Sequence, residues 1–377
     1  MERIDTVVIG AGPAGLASAA MLRRRGVPCV VLERDAIAAS WRRHYDRLHL
    51  HTARGFSHLP GLRMSSRHGR WVPRDGVIGY LERYARHHGI EVRRGIEVSR
   101  LDREDGGWRI ETSEGAVHAR ALVVATGYNR EPHMPEWPGR EGFTGDLIHG
   151  SEYRNPDPYR GRDVLVVGSG NTGAEIAVDL VEGGASRVRL AVRTPPNILP
   201  RETGGVPAQA TGILMRHLPA KVADPIVEAT RRVTVGDLSP YGMPPAPRGA
   251  FSQAVEDDVV PILDVGLIGA LKRGEVEVVP AVEGFDGAEV LLRGGERVSP
   301  GAVIACAGYR RALEPLIGHL GLVGDKGRPV VHGARTDPRA PDLHFIGYTN
   351  PISGMFREFG IDARRIAKHQ ARRRSAV

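Results

Sequence analysis

Apolar residues gather into short β-branched runs, separated by glycine turns and by Ala/Leu-rich stretches of helical period. Asp5-Thr-Val-Val-Ile-Gly10 reads as a buried strand, the stretch from Gly15 through Leu22 as a helix, and Val27 to Glu33 as a second strand. The same order returns at Asp163 to Gly168, a helix through Val181, and Arg187 to Arg193. Strand-like segments at 96–101, 108–112 and 116–124 lead into Ala125-Thr126-Gly127-Tyr128-Asn129, and a matching end-piece stands at Ile304-Ala-Cys-Ala-Gly308-Tyr-Arg310. Asp342 to Tyr348, with a helical run from about Gly360 to His369, is expected to bring the chain back to its first domain. The fold class that follows is α/β, with two Rossmann-like dinucleotide-binding domains, the second inserted in the first. The expected division is 1–157, 158–299 and 300–377. Two covers over a substrate space are expected. One is the proline-bearing stretch 195–261, with Ile213, Leu214, Leu218, Val222, Ile226 and Val227 at roughly helical spacing, which domain packing would equally explain. The other is the Gly354-hinged loop from Asn350 to Arg357.

Each βαβ unit carries a glycine turn suited to one chemistry. In Gly10-Ala-Gly12-Pro-Ala-Gly15 and Gly168-Ser-Gly170-Asn-Thr-Gly173 the glycines let backbone approach a pyrophosphate. The following helix supplies unpaired N–H groups and the positive end of its dipole. Glu33, 18 residues beyond Gly15, ends the second strand where an acid takes ribose hydroxyls. The matching slot of the second unit holds Arg193, 20 residues beyond Gly173. A guanidinium there accepts a 2′-phosphate that a carboxylate would repel. The pair of sites therefore reads as FAD first and NADP(H) second, and two nucleotides in one chain imply electron transfer between them. A surface arginine in an arginine-rich chain is the plainer reading of Arg193.

Composition narrows this further. Glycine supplies 48 of 377 residues, well above the usual roughly 7%, as many tight turns require. Hydrophobic residues at 41% and charged residues at 25% describe a globular chain rather than a disordered one. The net charge of +8 is spread thinly, with no basic block interleaved with aromatics, so no nucleic-acid partner is expected. Cys29 and Cys306 lie far apart in apolar runs, which excludes a disulfide framework and suits a reducing cytoplasm. Val7 to Leu22 is broken at Gly10, Gly12, Pro13 and Gly15, so neither a membrane span nor a signal peptide is expected there, and Arg372 to Arg374 is expected to be a solvated fringe. His44, His49, His51, His58 and His68 have no ligand spacing and no acid cluster beside them, and no metal site is expected.

Between the two fingerprints stands Phe143-Thr-Gly145-Asp-Leu-Ile-His149-Gly-Ser-Glu-Tyr153-Arg154. With it the chain resembles the class B flavin-containing monooxygenases, and among them looks most like the plant YUCCA enzymes. The resemblance runs through Ser40-Trp41, Tyr45 to Leu50, the Ala125 crossover, Leu199-Pro-Arg201-Glu202, Pro261 to Gly266 and Ala307-Gly308-Tyr309. It implies that Gly10, Gly12, Pro13, Ala14, Gly15, Glu33, Arg34, Trp41, Thr126, Gly127 and Gly347 bind FAD. It implies that Gly168, Gly170, Asn171, Thr172, Gly173 and Arg193 bind NADPH, and that Phe143, Gly145, His149, Tyr153 and Arg154 lie between the sites.

The resemblance also implies a reaction. NADPH passes hydride to FAD, and the reduced flavin forms a C4a adduct with O2 that oxygenates a small organic substrate, such as an aryl 2-oxo acid like indole-3-pyruvate. Three positions depart from the family pattern. Tyr153 stands where Baeyer–Villiger relatives usually carry Trp. His51 and Thr52 occupy the stretch where many members place an Asn near the flavin. Gly347-Tyr348 replaces the Gly-Asp of many two-nucleotide reductases. Arg357, beside Met355 and Phe356, is the expected cation for a substrate carboxylate. The alternatives are N- or S-oxygenation, Baeyer–Villiger oxidation, an NADPH-dependent flavin reductase, and a nucleotide-bound module without turnover; an oligomer is compatible with all of them.

Overall fold

The computed structural model describes residues 2–104 and 106–375. Strand β1 (Glu2–Ile9) is exposed at its start and buried from Thr6 to Ile9, where helices cover both faces of a parallel sheet. Helix α1 (Pro13–Arg24) starts on a proline, whose missing N–H is no loss in a first turn, and buries Ala14 through Leu22. It ends on Arg23 and Arg24, and Gly26 at φ +71 turns the chain into β2 (Cys29–Glu33). After α2 (Arg74–His87) come β3 (Val92–Arg94) and three antiparallel strands, β4 (Val98–Glu104), β5 (Gly107–Thr112) and β6 (Val117–Val124). The sheet order is β3-β2-β1-β6-β5-β4. Val7 of β1 pairs in parallel with Val30 of β2 on one side and Leu122 of β6 on the other.

Beyond β6 the chain crosses at Ala125–Gly127 into a second sheet. Its strands are β7 (Asp146–His149), β8 (Asp163–Val167), β9 (Arg187–Val192), β10 (Val276–Pro280) and β11 (Ala302–Ala305), all parallel, in the order β10-β9-β8-β11-β7. Helix α3 (Asn171–Glu182) joins β8 to β9, and two further helices, α4 (Ala208–Met215) and α5 (Ala220–Thr234), stand in the long excursion between β9 and β10. The outgoing and returning segments pair with each other, Glu131–Pro132 against Tyr309–Arg310. Strand β12 (Leu343–Phe345) then pairs with the C-terminal half of β6, whose N-terminal half already holds β5, and α6 (Met355–Ser375) packs against α1.

The second sheet includes β7 and β11, which lie on either side of 158–299. One expectation is corrected here. The last helix is twice as long as the expected Gly360–His369; its basic end is exposed, with Arg373 pairing with Asp342 at 3.1 Å and Arg374 donating to the Gly26 carbonyl at 2.6 Å. No helix among the described residues is long and apolar enough to cross a membrane.

Candidate active site

The two glycine turns are near copies in space. Gly10 and Gly168 have φ of +106 and +112, a region open to glycine but costly for other residues. A Cβ on Gly15 would lie 1.9 Å from the Gly10 carbonyl oxygen, and one on Gly173 would lie 1.9 Å from that of Gly168. These glycines exist so that helix and turn can touch. Gly12 and Gly170 differ, since a Cβ there meets nothing within 4 Å. Both are helix N-caps without a side-chain cap, and neither first turn contains an acid. Free N–H groups, a positive helix end and open space in front of it suit a diphosphate at each site.

At the first turn, Glu33 accepts from the backbone N–H of Ala11 at 2.7 Å and of Asp35 at 2.9 Å, which fixes its carboxylate at the rim. A cavity of about 770 Å³ begins here. Of the residues expected at FAD, Gly10, Gly12, Pro13, Ala14, Glu33, Arg34, Trp41, Thr126, Gly127 and Gly347 all line it. Arg130 lines it too, at the Thr126–Gly127 crossover, with its Nη1 buried and unpartnered. Of the second turn only Asn171 reaches this cavity; its side chain holds the segment 261–263 by donating to the Pro261 carbonyl and accepting from Leu263 N–H. Gly168, Gly170, Thr172, Gly173 and Arg193 do not line it. Arg193 follows β9 directly, is exposed, and has no partner among the described residues, so it is available to a 2′-phosphate. Removing it as Arg193→Ser is expected to lower the NADPH over NADH preference in flavin reduction by roughly tenfold or more, the worth of one charge-assisted bond. An unchanged ratio of reduction rates would remove Arg193 from that role.

Both expected covers contribute to the cavity wall, each in part. From the excursion, Gln209, Gly212, Met215, Ile226, Val227 and Thr230 face the cavity, whereas Leu214 at 81% and Val233 at 87% exposure point outward. The loop 350–356 closes another side through Asn350, Pro351, Ile352, Gly354, Met355 and Phe356. Buried Gln209 ties the two covers: its amide donates to the Ser353 carbonyl at 2.8 Å and accepts from Ala53 N–H at 3.0 Å. Arg357 does not line the cavity. Glu358 captures it, together with Arg216 and Ser353, because the helical turn after Phe356 carries position 357 to the outer side.

The Phe143–Arg154 element does not line the cavity either. It braces the junction: Phe143 packs on Phe285 at 5.0 Å, and His149 lies 3.1 Å from the Gly308 carbonyl and edge-on to Tyr309. Arg154 donates to the Ser151 carbonyl at 2.7 Å and accepts at its own carbonyl from Asp46 N–H. Tyr153, fully buried, donates to Asp179 at 2.8 Å.

That contact belongs to a seam that sequence reasoning missed. Glu175, Asp179 and Glu182 recur at helical spacing on α3 and meet Tyr45, Arg47 and His51 of the first domain. Tyr45 donates to Glu175 at 2.9 Å, Arg47 reaches Asp179 at 3.2 Å and Glu182 at 2.8 Å, and His51 Nε2 meets the other oxygen of Glu175. Burial pushes the Glu175 carboxyl up, but the His51 charge and the hydrogen bonds from His51 and Tyr45 outweigh it and hold the group below the ordinary carboxylate range. The acidic spacing on an otherwise apolar helix was the available signal. His51 and Thr52 both line the cavity, and Thr52 hydroxyl shares a hydrogen bond with Ser57 at 2.7 Å.

Two dinucleotide turns, one opening on a largely apolar cavity and the other reaching it through Asn171, define an oxidoreductase in which electrons pass between two bound nucleotides. Residues 7–200 match the family model described as pyridine nucleotide-disulphide oxidoreductase. Indole-3-pyruvate monooxygenase YUCCA1 of Oryza sativa subsp. japonica is 37% identical over 310 residues, covering 81% of this chain and 76% of that protein. Probable indole-3-pyruvate monooxygenase YUCCA3 of Arabidopsis thaliana is 32% identical over 381 residues, covering 97% and 86%. The solved flavin-containing monooxygenase from Stenotrophomonas maltophilia superposes with a TM-score of 0.74 at 26% identity, covering 98% of this chain and 99% of that one. Cyclohexanone monooxygenase, at 17% identity and a TM-score of 0.75, shares the fold. The chain belongs to the YUCCA-like flavin-containing monooxygenases, and it is an FAD- and NADPH-dependent oxidoreductase of that family.

Proposed function

We propose that the chain oxidatively decarboxylates an aryl 2-oxo acid such as indole-3-pyruvate. The observation that carries this is the cavity wall, where Trp41, Met215, Ile226, Val227, Phe251 and Phe356 surround apolar space continuous with the Gly10–Gly15 turn. Such a wall suits a planar aromatic ring. Relatives named for indole-3-pyruvate, at 32% and 37% identity over most of the chain, support the same substrate. In the balanced reaction NADPH supplies two electrons, one atom of O2 enters the product acid, the other leaves as water with one added proton, and the carboxyl carbon leaves as carbon dioxide.

FAD, when bound, supplies the redox chemistry and the activation of O2. The residues of the chain bind, orient and exclude water. Gly10 to Gly15 and Glu33 would seat the FAD diphosphate and ribose, Gly168 to Gly173 and Arg193 those of NADPH. The Gln209 tie keeps α4 against the loop 350–354, whose backbone approach requires glycine: a Cβ on Gly212 would lie 2.6 Å from the Ile352 side chain, and one on Gly354 2.4 Å from the Gln209 amide. An apolar cover of this kind limits water at a water-sensitive reaction. The compartment we propose is the cytoplasm, which suits two separate thiols; burial raises both Cys29 and Cys306 to about 12 and leaves them unreactive.

The test supplies indole-3-pyruvate, phenylpyruvate, a thioether and a tertiary amine separately, and follows NADPH use, carbon dioxide and incorporation of labelled oxygen. The expected result is carbon dioxide in step with NADPH oxidation for the oxo acids, with one labelled atom in the shortened acid. Label in the thioether or amine products with no decarboxylation would overturn the substrate and leave the monooxygenase. NADPH oxidation that only yields hydrogen peroxide with all four would favour a flavin reductase or oxidase.

A further inference from the structure

Six buried arginine nitrogens among the described residues make no hydrogen bond. Five of them are Nε atoms, on Arg120, Arg189, Arg201, Arg311 and Arg328, and each of those side chains is anchored by its terminal nitrogens. Arg120 reaches Asp5 and Gln370, Arg189 reaches Asp163, Arg201 the Leu50 carbonyl, and the last two share Asp258. Arg130 is different. Its unpartnered atom is the terminal Nη1, and its side chain has no hydrogen bond or carboxylate partner among the described residues. A guanidinium keeps its charge at any physiological pH, and a buried donor without an acceptor is costly. The arrangement points to an anion that the chain does not itself supply.

Arg130 lines the cavity beside residues that belong to the FAD turn. It follows Gly127 by three positions, on the segment leaving β6. That segment abuts the glycine turn so closely that a Cβ on Gly10 would lie 2.6 Å from the Ala125 carbonyl oxygen. Tyr348 fixes the crossover there: its hydroxyl accepts from Thr126 N–H at 3.2 Å and shares a hydrogen bond with the Thr126 hydroxyl at 2.7 Å. Tyr348 stands where many two-nucleotide reductases carry an acid, so no carboxylate at that position competes for Arg130. The other guanidinium groups of the wall are taken. Arg43 pairs with Asp35 at 2.8 Å, Arg34 lies 3.8 Å from Asp35 and 3.9 Å from Glu97, and Arg231 is held by both oxygens of Glu228. The first turn of α1 brings only its backbone N–H groups and a partial positive charge, less than a diphosphate carries.

We infer that Arg130 binds the diphosphate of FAD, adding a full cation to a turn that otherwise offers backbone N–H groups alone. Its planar fork matches phosphate oxygens in pairs, and such charge-assisted bonds are the strong ones. The inference concerns FAD and holds whatever the organic substrate is.

The experiment titrates full-length apoprotein with FAD, following the change in flavin fluorescence, for wild type, Arg130→Met, Arg130→Gln and Arg130→Lys. The Met and Gln variants are expected to weaken FAD by about tenfold or more, and Lys to recover part of the loss, since it keeps the charge but not the fork. Adenosine diphosphate as a competitor should weaken by a similar factor, while riboflavin, which carries no phosphate, should bind as it does to wild type. Melting of the apoproteins gives a reading that a merely structural arginine would move the other way. Removing an uncompensated buried charge should leave the apoprotein melting temperature unchanged or raised, and FAD should raise it less in Arg130→Met than in wild type. Unchanged FAD affinity in the Met and Gln variants would overturn the inference, as would equal weakening of FAD and riboflavin. FAD affinity that holds while the preference for indole-3-acetate over indole-3-acetamide falls would overturn it in favour of a substrate carboxylate at Arg130.

Discussion

A Gly12→Leu chain is expected to fold and to carry no flavin. Gly12 sits at φ −79 and ψ −178, an extended conformation that leucine adopts without strain, and a Cβ there meets no atom within 4 Å. The added side chain would instead occupy the space in front of the first turn of α1, where the diphosphate must lie. Occupancy should drop by about a hundredfold or more, since both the backbone N–H contacts and the helix-end field are lost together. Gly15→Ala is the contrasting case. Its Cβ would lie 1.9 Å from the Gly10 carbonyl oxygen, so the turn itself must open and stability must fall. Flavin absorbance per chain, read beside far-ultraviolet circular dichroism, separates the two: native spectrum without flavin for Gly12→Leu, a lower melting temperature for Gly15→Ala. Full flavin in Gly12→Leu would remove the first turn from FAD binding.

Asp258→Ala is expected to be among the most destabilising single changes outside the hydrophobic core. Asp258 ends a π-helical turn, Gln253–Asp257, in the left-handed region at φ +63. One of its carboxylate oxygens accepts from Tyr128 at 2.8 Å, from Arg311 at 3.1 Å and from Arg328. Arg311 also lies 4.2 Å over the Tyr128 ring, and its side chain is 8% exposed. This single acid thus holds the end of the excursion between β9 and β10 onto both crossovers. Removing it leaves buried guanidinium charge without compensation, at a cost of about 3 to 5 kcal/mol. That corresponds to a fall of roughly 4 to 6 °C in melting temperature for a chain of this size. Limited proteolysis should cut first near 236–261, where the excursion loses its anchor. A shift of under about 1 kcal/mol, with unaltered proteolysis, would show that the three donors do not depend on Asp258.

The parts legible in the sequence are those whose determinants lie within one supersecondary unit. Gly10, Gly12 and Gly15, the apolar strands beside them and Glu33 span about thirty residues, and their spacing alone specifies a strand, a tight turn and a helix end aimed at a phosphate. The second unit follows the same rule, with Arg193 in the slot of Glu33. Local pattern was less informative at element edges. The final helix begins at Met355 rather than near Gly360, because Phe356 and Phe359 bury against Trp41 and α1, and that burial is not visible in the helical period of the tail.

What the amino-acid order determined by itself is therefore the class of fold, the two nucleotides and their sequence along the chain, since these depend on backbone geometry that glycine, proline and β-branched residues impose locally. What the tertiary structure alone decided is which side chains share the cavity. Arg357 stands next to Phe356 in sequence, yet one step of helical rotation sends it to Glu358 and solvent. Glu175 and His51 are separated by 124 residues, yet the packing of α3 on the first domain joins them at the cavity wall. Such pairings follow from how two separately encoded units dock, and docking is set by the summed shape and charge of whole surfaces, which no single motif records.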